Sequence, residues 1–410
     1  MTQEQEVHVA RQPIFDTNLN VFGYELLFRN SCRNSYTAID GDQATLDVIT
    51  NSFLFIGVDT LTYGKKAFIN FTANSLKNNL PAMLPKELIG VEILEDIIPD
   101  EEIINACKKL KKNGYLLILD DFVFSPAYLP LIKLADIIKV DFRNTPQNEC
   151  KELIQRLRSY PIKFLAEKVE TQEEFQSARH MGYSYFQGYF FCKPLILSGK
   201  TLPSYKTNYL RILREINQPE IDFKKIETII KQDVSLSYKL LKFINSSIFG
   251  FKTTISSLQH ALTLLGQKEI SKWISLIALK GVAEDKPSEL ILNSLIRARF
   301  AEKLATTRMS KSRSSDAFLM GMLSHIDVLL DRPLTAILNE ISLDEEIKQA
   351  LLEKEHNQFF SLYKLILTYE SGNWVDYSVY LAELGIDEHL VLKAYRESLI
   401  WAHDLMMCNY

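Results

Sequence analysis

Residues 116–122 read LLILDDF, an apolar run of strand-forming residues that closes on two carboxylates. The same form recurs in the first half of the chain as YELLFR (24–29), FINF (68–71), VEILE (91–95), IIKVDF (137–142), FLAEKVE (164–170) and YFQGY (185–189). Each run delivers a carboxylate, a carboxamide or a lysine. Amphipathic stretches such as residues 100–112 and 171–181 lie between them, so strands and helices alternate in the rhythm of a parallel barrel. In such a barrel the C-terminal ends of the strands converge on one face, which brings these polar tips together although they are far apart in sequence. Residues 7–15 and 21–28, joined through DTNLN at 16–20, read instead as a hairpin, so at least one strand pair is antiparallel. The fold expected is a TIM-like α/β barrel with an antiparallel N-terminal hairpin.

The rhythm changes near residue 200. Residues 195–204 carry Gly, Pro and Ser and read as a linker, and from Tyr205 onward the apolar spacing is helical nearly to the end. The expected division is a barrel over 1–200 and an all-α domain over 201–410.

At 410 residues, 47% hydrophobic and 24% charged, the chain has material for two cores and reads as a soluble two-domain protein. A formal net charge of −4 argues against a surface built for long nucleic acid, although bound metal ions could still hold a small anion. The cysteines at 32, 107, 150, 192 and 408 form no CxxC pair and no secretory leader is visible, which reads as reduced thiols in a cytoplasm. Apolar stretches such as 291–295 and 359–367 are interrupted well short of the ~20 residues that membrane insertion requires.

The polar tips suit a hard divalent cation. Glu25, Asn70, Glu92, Asp120, Asp121 and Glu167 all offer oxygen, the donor that Mg and Mn prefer, and neither His nor Cys is among them, which disfavours zinc. Adjacent Asp120 and Asp121 reach one site only if their strand ends there. Two ions held ~3.5–4 Å apart would clamp a phosphodiester and lower the pKa of a water between them. Lys139 would hold charge near that water or the phosphate, and Gln187 would orient one of them. Each residue also has a plainer reading. A strand-end Glu is ordinarily solvated or paired with Arg, Asp120-Asp121 serves equally as a helix N-cap, and Lys139 on a buried strand is explained as well by a structural ion pair.

The ordered set resembles the EAL domain of bacterial cyclic di-GMP phosphodiesterases. Its name-giving motif appears as Glu25-Leu26-Leu27-Phe28-Arg29, with Gln12-Pro13-Ile14 before it and Asn70, Glu92 with Glu95, Asp120-Asp121-Phe122, Lys139-Val140-Asp141, residues 167–171, Gln187-Gly188-Tyr189 and Lys193-Pro194 after it. The resemblance covers about residues 7–195. It implies metal-dependent hydrolysis of cyclic di-GMP to linear pGpG, with two Mg2+ or Mn2+ ions held by Glu25, Asn70, Glu92, Asp120 and Asp121 and supported by Glu167. It further implies that Lys139 and Gln187 act on the attacking water, that Arg29 meets a phosphate through its planar donor fork, that Gln12, Leu27, Asp141 and Pro194 contact substrate, and that Glu95 anchors a loop. The sequence departs from the pattern where Val123-Phe124-Ser125-Pro126-Ala127-Tyr128 replaces a glycine-rich loop and where Lys168 replaces a glycine. Fixed φ at Pro and the absence of Gly leave such a loop fewer conformations.

The second half resembles the HDOD domain through residues 233–247 and 255–266. Where the parent hydrolases carry adjacent His and Asp, residues 321–327 separate His325 from Asp327 by one residue, and on a helix these do not share a face. A packing or partner-binding module is expected there, with Phe243, Trp273, Trp374 and Trp401 in core or interface rather than around a cofactor. The tandem order resembles bacterial EAL-HDOD signalling proteins of the YuxH type, which implies links to motility and biofilm control, an unidentified protein partner for the HDOD half and a homodimer through the barrel. The altered loop motivates a second expectation, a catalytically weak or inactive receptor that binds cyclic di-GMP or a protein and signals through the helical half.

Overall fold

The computed structural model describes residues 7–30, 57–188, 204–218, 220–231, 267–282, 286–341 and 343–407. The chain forms two compact units, Met1–Lys193 with Tyr369–Trp374 and Pro194–Thr368 with Val375–Tyr410. The expected linker falls almost wholly outside the described residues, as do the two stretches at 233–247 and 255–266.

The first unit is a closed barrel of eight strands paired in chain order. They are β1 (Val7–Asp16), β2 (Val21–Asn30), β3 (Lys66–Phe71), β4 (Ile89–Ile93), β5 (Leu116–Leu119), β6 (Ile137–Asp141), β7 (Lys163–Glu167) and β8 (Tyr185–Gln187). β1 runs antiparallel to both β2 and β8, and every other neighbouring pair is parallel. The N-terminal hairpin turns where Asp and Asn cluster. The Asp16 carboxylate accepts the backbone N–H groups of Asn18 and Asn20 at 2.8 and 2.9 Å, a local bond that short polar side chains supply.

Helices return the chain between the parallel strands. In α1 (Glu101–Lys112) the Asp100 side chain accepts from Ile103 N at the N-cap, acidic residues fill the first turn and lysines the last. Its Ile103, Ala106, Cys107 and Leu110 make one buried stripe. The helix α2 (Gln147–Leu157) buries Cys150, Leu153 and Leu157 in the same way. α3 (Gln172–Met181) starts with a capping box between Thr171 and Glu174 and stops at Gly182, whose φ of 101° suits a residue without Cβ.

Two stacked layers inside the barrel position the functional groups. Ile14, Phe68, Ile118, Ile137, Leu165 and Tyr185 form one buried cluster. β2 and β4 contribute glycines at this level. A Cβ on Gly23 would lie 2.7 Å from the Phe68 ring and one on Gly90 2.9 Å from Ile118 Cδ1, so both glycines make room for larger neighbours. Residues two apart on a strand face the same way. Two residues on from this layer come Glu25, Asn70, Glu92, Asp120, Lys139, Glu167 and Gln187, and two residues back along antiparallel β1 comes Gln12. Each strand thus trades an apolar or absent side chain for a polar one in the same step toward the rim.

The second unit is helical throughout its described residues. α4 (Ser288–Arg308) is buried on nearly every face, including the polar side chains of Glu289, Ser294, Arg297 and Glu302. α5 (Lys311–Leu323) meets it closely at Gly321, where an added Cβ would sit 2.4 Å from the Arg297 carbonyl oxygen. Trp401, on α6 (Glu388–Met407), packs against Trp273 and Phe318. No described helix is long and apolar enough to cross a membrane.

Candidate metal centre

Lys139 stands at the centre of the polar layer with no solvent exposure. Its Nζ lies 2.8 Å from Asp120 Oδ1, 2.8 Å from Glu167 Oε1, 2.9 Å from Glu92 Oε1 and 3.5 Å from Glu25 Oε2. These are ion-pair distances, so the four carboxylates hold the ammonium in place. Burial works to discharge Lys139, but Glu167, Glu25, Glu92 and Asp120 together outweigh it and keep its pKa well above the usual lysine value. Burial has the opposite effect on its partners. It raises Glu92 well above the ordinary carboxylate range, and it pushes Glu167 up to about 8 against the pull of Lys139, with Asp120 and Glu25 adding to the rise. One cation faces four carboxylates, and burial with their mutual repulsion favours protons on Glu92 and Glu167 unless a further cation joins them.

The ligand geometry fits that cation. Glu25, Glu92 and Asp120 each present an oxygen within 4.8 Å of the other two, the single such group of His, Cys, Asp and Glu among the described residues. Asn70 pairs with Glu92 across β3 and β4 and reaches Glu25 Oε1 through Nδ2 at 3.4 Å. The opposite end of its amide is 3.3 Å from Glu92 Oε2 and from Asp120 Oδ2. With oxygen there, three acceptors converge on a position that suits a cation; with nitrogen there, Asn70 donates to both carboxylates. Gln187 Oε1 is a buried atom with no hydrogen-bond partner, and Glu92 Oε1 has the Lys139 ammonium beside it. A hard divalent ion with its water would satisfy such an all-oxygen set.

Gln187 is fixed in orientation. Its Nε2 donates to Glu25 Oε2 at 2.6 Å and to Gln12 Oε1 at 3.1 Å, which leaves Oε1 as a buried acceptor. The remaining expected residues are more dispersed. Leu27 is half-buried opposite Ala10, and the Arg29 backbone pairs with His8. Pro194 lies outside the described residues. Asp141 ends β6 and accepts from Arg143 N, Asn144 N and Asn144 Nδ2. The exposed Glu95 takes part through its backbone, whose carbonyl accepts from Tyr128 Oη at 2.9 Å and so ties the glycine-free loop to the end of β4.

The N-cap reading of Asp120-Asp121 is not what the chain does. β5 ends at Leu119, Asp121 turns the backbone at φ 37°, and the next helical turn, Pro126–Tyr128, is preceded by Ser125. Asp121 stands apart from the three gathered carboxylates, with Oδ2 3.6 Å from Lys168 Nζ. In the helical unit His325 is buried, its Nδ1 3.2 Å from Ser294 Oγ, and burial with nearby Arg297 holds its pKa well below the usual value. Sequence reasoning missed the two glycines of the lower layer. The signal was present as Gly-x-Glu written twice, Gly23-Tyr24-Glu25 and Gly90-Val91-Glu92.

The EAL domain profile matches residues 51–194 and the HDOD domain profile residues 202–361. The uncharacterized protein YuxH of Bacillus subtilis (strain 168) is 42% identical over 98% of this chain and 99% of its own length. Cyclic di-GMP phosphodiesterase CdgJ of Vibrio cholerae serotype O1 is 37% identical over 97% of this chain and 93% of its own. Among solved structures, BlrP1 of Klebsiella pneumoniae in complex with calcium and cyclic di-GMP is similar at 23% identity over 47% of this chain and 58% of that one, with a TM-score of 0.38, too distant to bear on the site. Two relatives aligned nearly end to end, with both profiles met in that order, establish that the chain belongs to the family of proteins joining an EAL domain to an HDOD domain.

Proposed function

We propose that the barrel hydrolyses one phosphodiester of cyclic di-GMP to linear pGpG at a Mg or Mn centre held by Glu25, Asn70, Glu92 and Asp120. The observation that carries this reading is the convergence of Glu25, Glu92 and Asp120 on one position, beside the buried Gln187 Oε1 that has no hydrogen-bond partner. The substrate comes from the relative CdgJ, which is named for that activity. The bound ion would lower the pKa of the attacking water and neutralise phosphate charge.

The side chains divide the remaining work. Gln187, pinned through Nε2 by Glu25 and Gln12, presents Oε1 to accept a hydrogen bond from the water and aim it. Lys139 supplies a buried positive charge beside the reacting phosphate, where a low-dielectric surrounding strengthens its effect. Glu167 keeps Lys139 in register at 2.8 Å. The water oxygen bonds to phosphorus, the phosphorus bond to the ribose 3′ oxygen breaks, and the proton released by the water is matched by one taken up by the leaving oxygen. In this reading the HDOD half is the regulatory or partner-binding module.

Incubation of the purified protein with cyclic di-GMP and Mg or Mn, followed by chromatography, tests the reading. Linear product is expected, with E25A and K139A reducing its rate by about a hundredfold or more, the scale of losing one electrostatic or orienting group. Absence of linear product with either metal overturns it, and nucleotide binding without turnover would favour the receptor.

A further inference from the structure

Lys168 follows the last residue of β7 and takes up a φ of 54°, a left-handed conformation in which glycine is at ease and a side chain is strained. A lysine kept there calls for a compensating contact. Its Nζ lies 2.5 Å from Asp141 Oδ2 and 3.6 Å from Asp121 Oδ2. Asp141 is itself clamped by Arg143 and Asn144, so the ammonium is tied to a fixed post. Asp121 keeps one buried oxygen with no hydrogen bond while its other oxygen faces this lysine.

We propose that Lys168 is a resident cation which takes up Asp121 in place of a second metal ion, so that the centre holds one divalent ion tightly and a second only in competition with the lysine ammonium. This rests on the metal-site reading above. Glu25, Glu92 and Asp120 gather round one position, whereas Asp121, which the resemblance adds to the ligands, faces Lys168, itself paired with Asp141. A cation fixed to the chain costs no binding entropy, whereas a free ion must displace it and discard the pairing with Asp141. Lys168 is therefore a positioning residue, which sets the metal count of the centre and holds Asp121 through an ion pair.

Manganese titration of the metal-stripped full-length protein, read by the loss of free-ion electron paramagnetic resonance signal and by calorimetry, tests the proposal without recourse to turnover. Wild type and K168R are expected to bind one ion tightly. K168M and K168G are expected to bind a second at least about tenfold more tightly than wild type does, and D121N added to K168M should remove that gain. K168G also relieves the left-handed strain, so a folded variant without the ammonium is available if K168M is unstable. Two ions of similar affinity in wild type, or an unchanged second affinity in both K168M and K168G, would overturn the proposal. Product formation with a failed titration removes this inference alone, and a successful titration without product removes the phosphodiesterase reading alone.

Discussion

The Lys139 ammonium lies 2.9 Å from Glu92 Oε1, and neither side chain has any surface exposed to solvent. Two such groups are stable in a barrel interior only while each answers the other, because an unpartnered buried charge costs far more than the pair returns. K139M leaves an unbranched side chain one atom shorter and without charge, so Glu25, Glu92, Asp120 and Glu167 repel one another. In the metal-free protein this should cost about 3–5 kcal/mol, or a fall in Tm on the order of 10 °C for a unit of this size. Saturating Mn should restore much of the difference, since the ion supplies the missing positive charge. Scanning calorimetry with and without a chelator decides it; equal Tm values for K139M and wild type in chelator would refute the cage.

The lower layer makes a graded prediction. A Cβ at position 23 would meet the Phe68 ring at 2.7 Å and the Lys66 carbonyl oxygen at 2.9 Å, and the carbonyl belongs to a paired strand that has little freedom to retreat. At position 90 the near contact is Ile118 Cδ1 at 2.9 Å, the end of a side chain that can rotate. G23A should therefore lose about 2 kcal/mol or more and G90A about 1 kcal/mol or less. Urea denaturation of both variants checks the order, and a larger loss in G90A would show that the layers are packed otherwise.

These layers also mark how far the sequence was legible. Polar residues ending apolar runs at Glu25, Asn70, Glu92, Asp120, Lys139, Glu167 and Gln187 could be read directly, because strand period and a shared barrel rim place them together without tertiary detail. Which of them meet was not readable. The Gly-x-Glu pairs determine the interior only once Phe68 and Ile118 are known to lie beside them, a contact between different strands. The pairing of Asp121 with Lys168 rather than with the three gathered carboxylates depends on two left-handed residues, a conformation that Asp adopts more readily than most side chains but that nothing in the sequence signals for Lys. Glu95 shows a third limit, since it joins the loop through a backbone carbonyl, which every residue possesses.

His325 makes the stability of the helical unit depend on pH. Burial, with Arg297 beside it, keeps its folded pKa well below the ordinary histidine value, so the folded ring stays neutral while the unfolded chain takes up a proton below pH ~6.5. The unfolded state then binds more protons, and stability falls as pH drops through that window by up to about 1.4 kcal/mol per pH unit. Asp327, whose pKa burial raises, contributes the opposite slope in the carboxylate range, so the comparison has to be with a variant. H325Q should be less stable than wild type at pH 7.5, through loss of the contact to Ser294, but should lose less on going to pH 5.5. Denaturant midpoints at the two pH values provide the check. An equal or larger loss in H325Q would place the acid sensitivity elsewhere.

Gly321 sets the distance between α4 and α5. The nearest atoms to a Cβ there would be the Arg297 carbonyl oxygen and carbon at 2.4 and 2.5 Å and Ala298 N at 2.6 Å, all backbone of a buried helix, so relief requires moving one helix away from the other. Separation would also strain the bond from Arg297 Nη1 to Ser324 Oγ, now 3.2 Å, and the seat of Phe318 against Trp401. G321A should therefore cost about 3 kcal/mol or more, beyond the gain in helix propensity of about 1 kcal/mol that replacing glycine brings elsewhere. Tryptophan fluorescence is a direct probe, because Trp273 and Trp401 pack against each other and Trp401 against α5. An unfolding midpoint for G321A at or above that of wild type would mean the helices have room to spare, and Gly321 would then need another explanation.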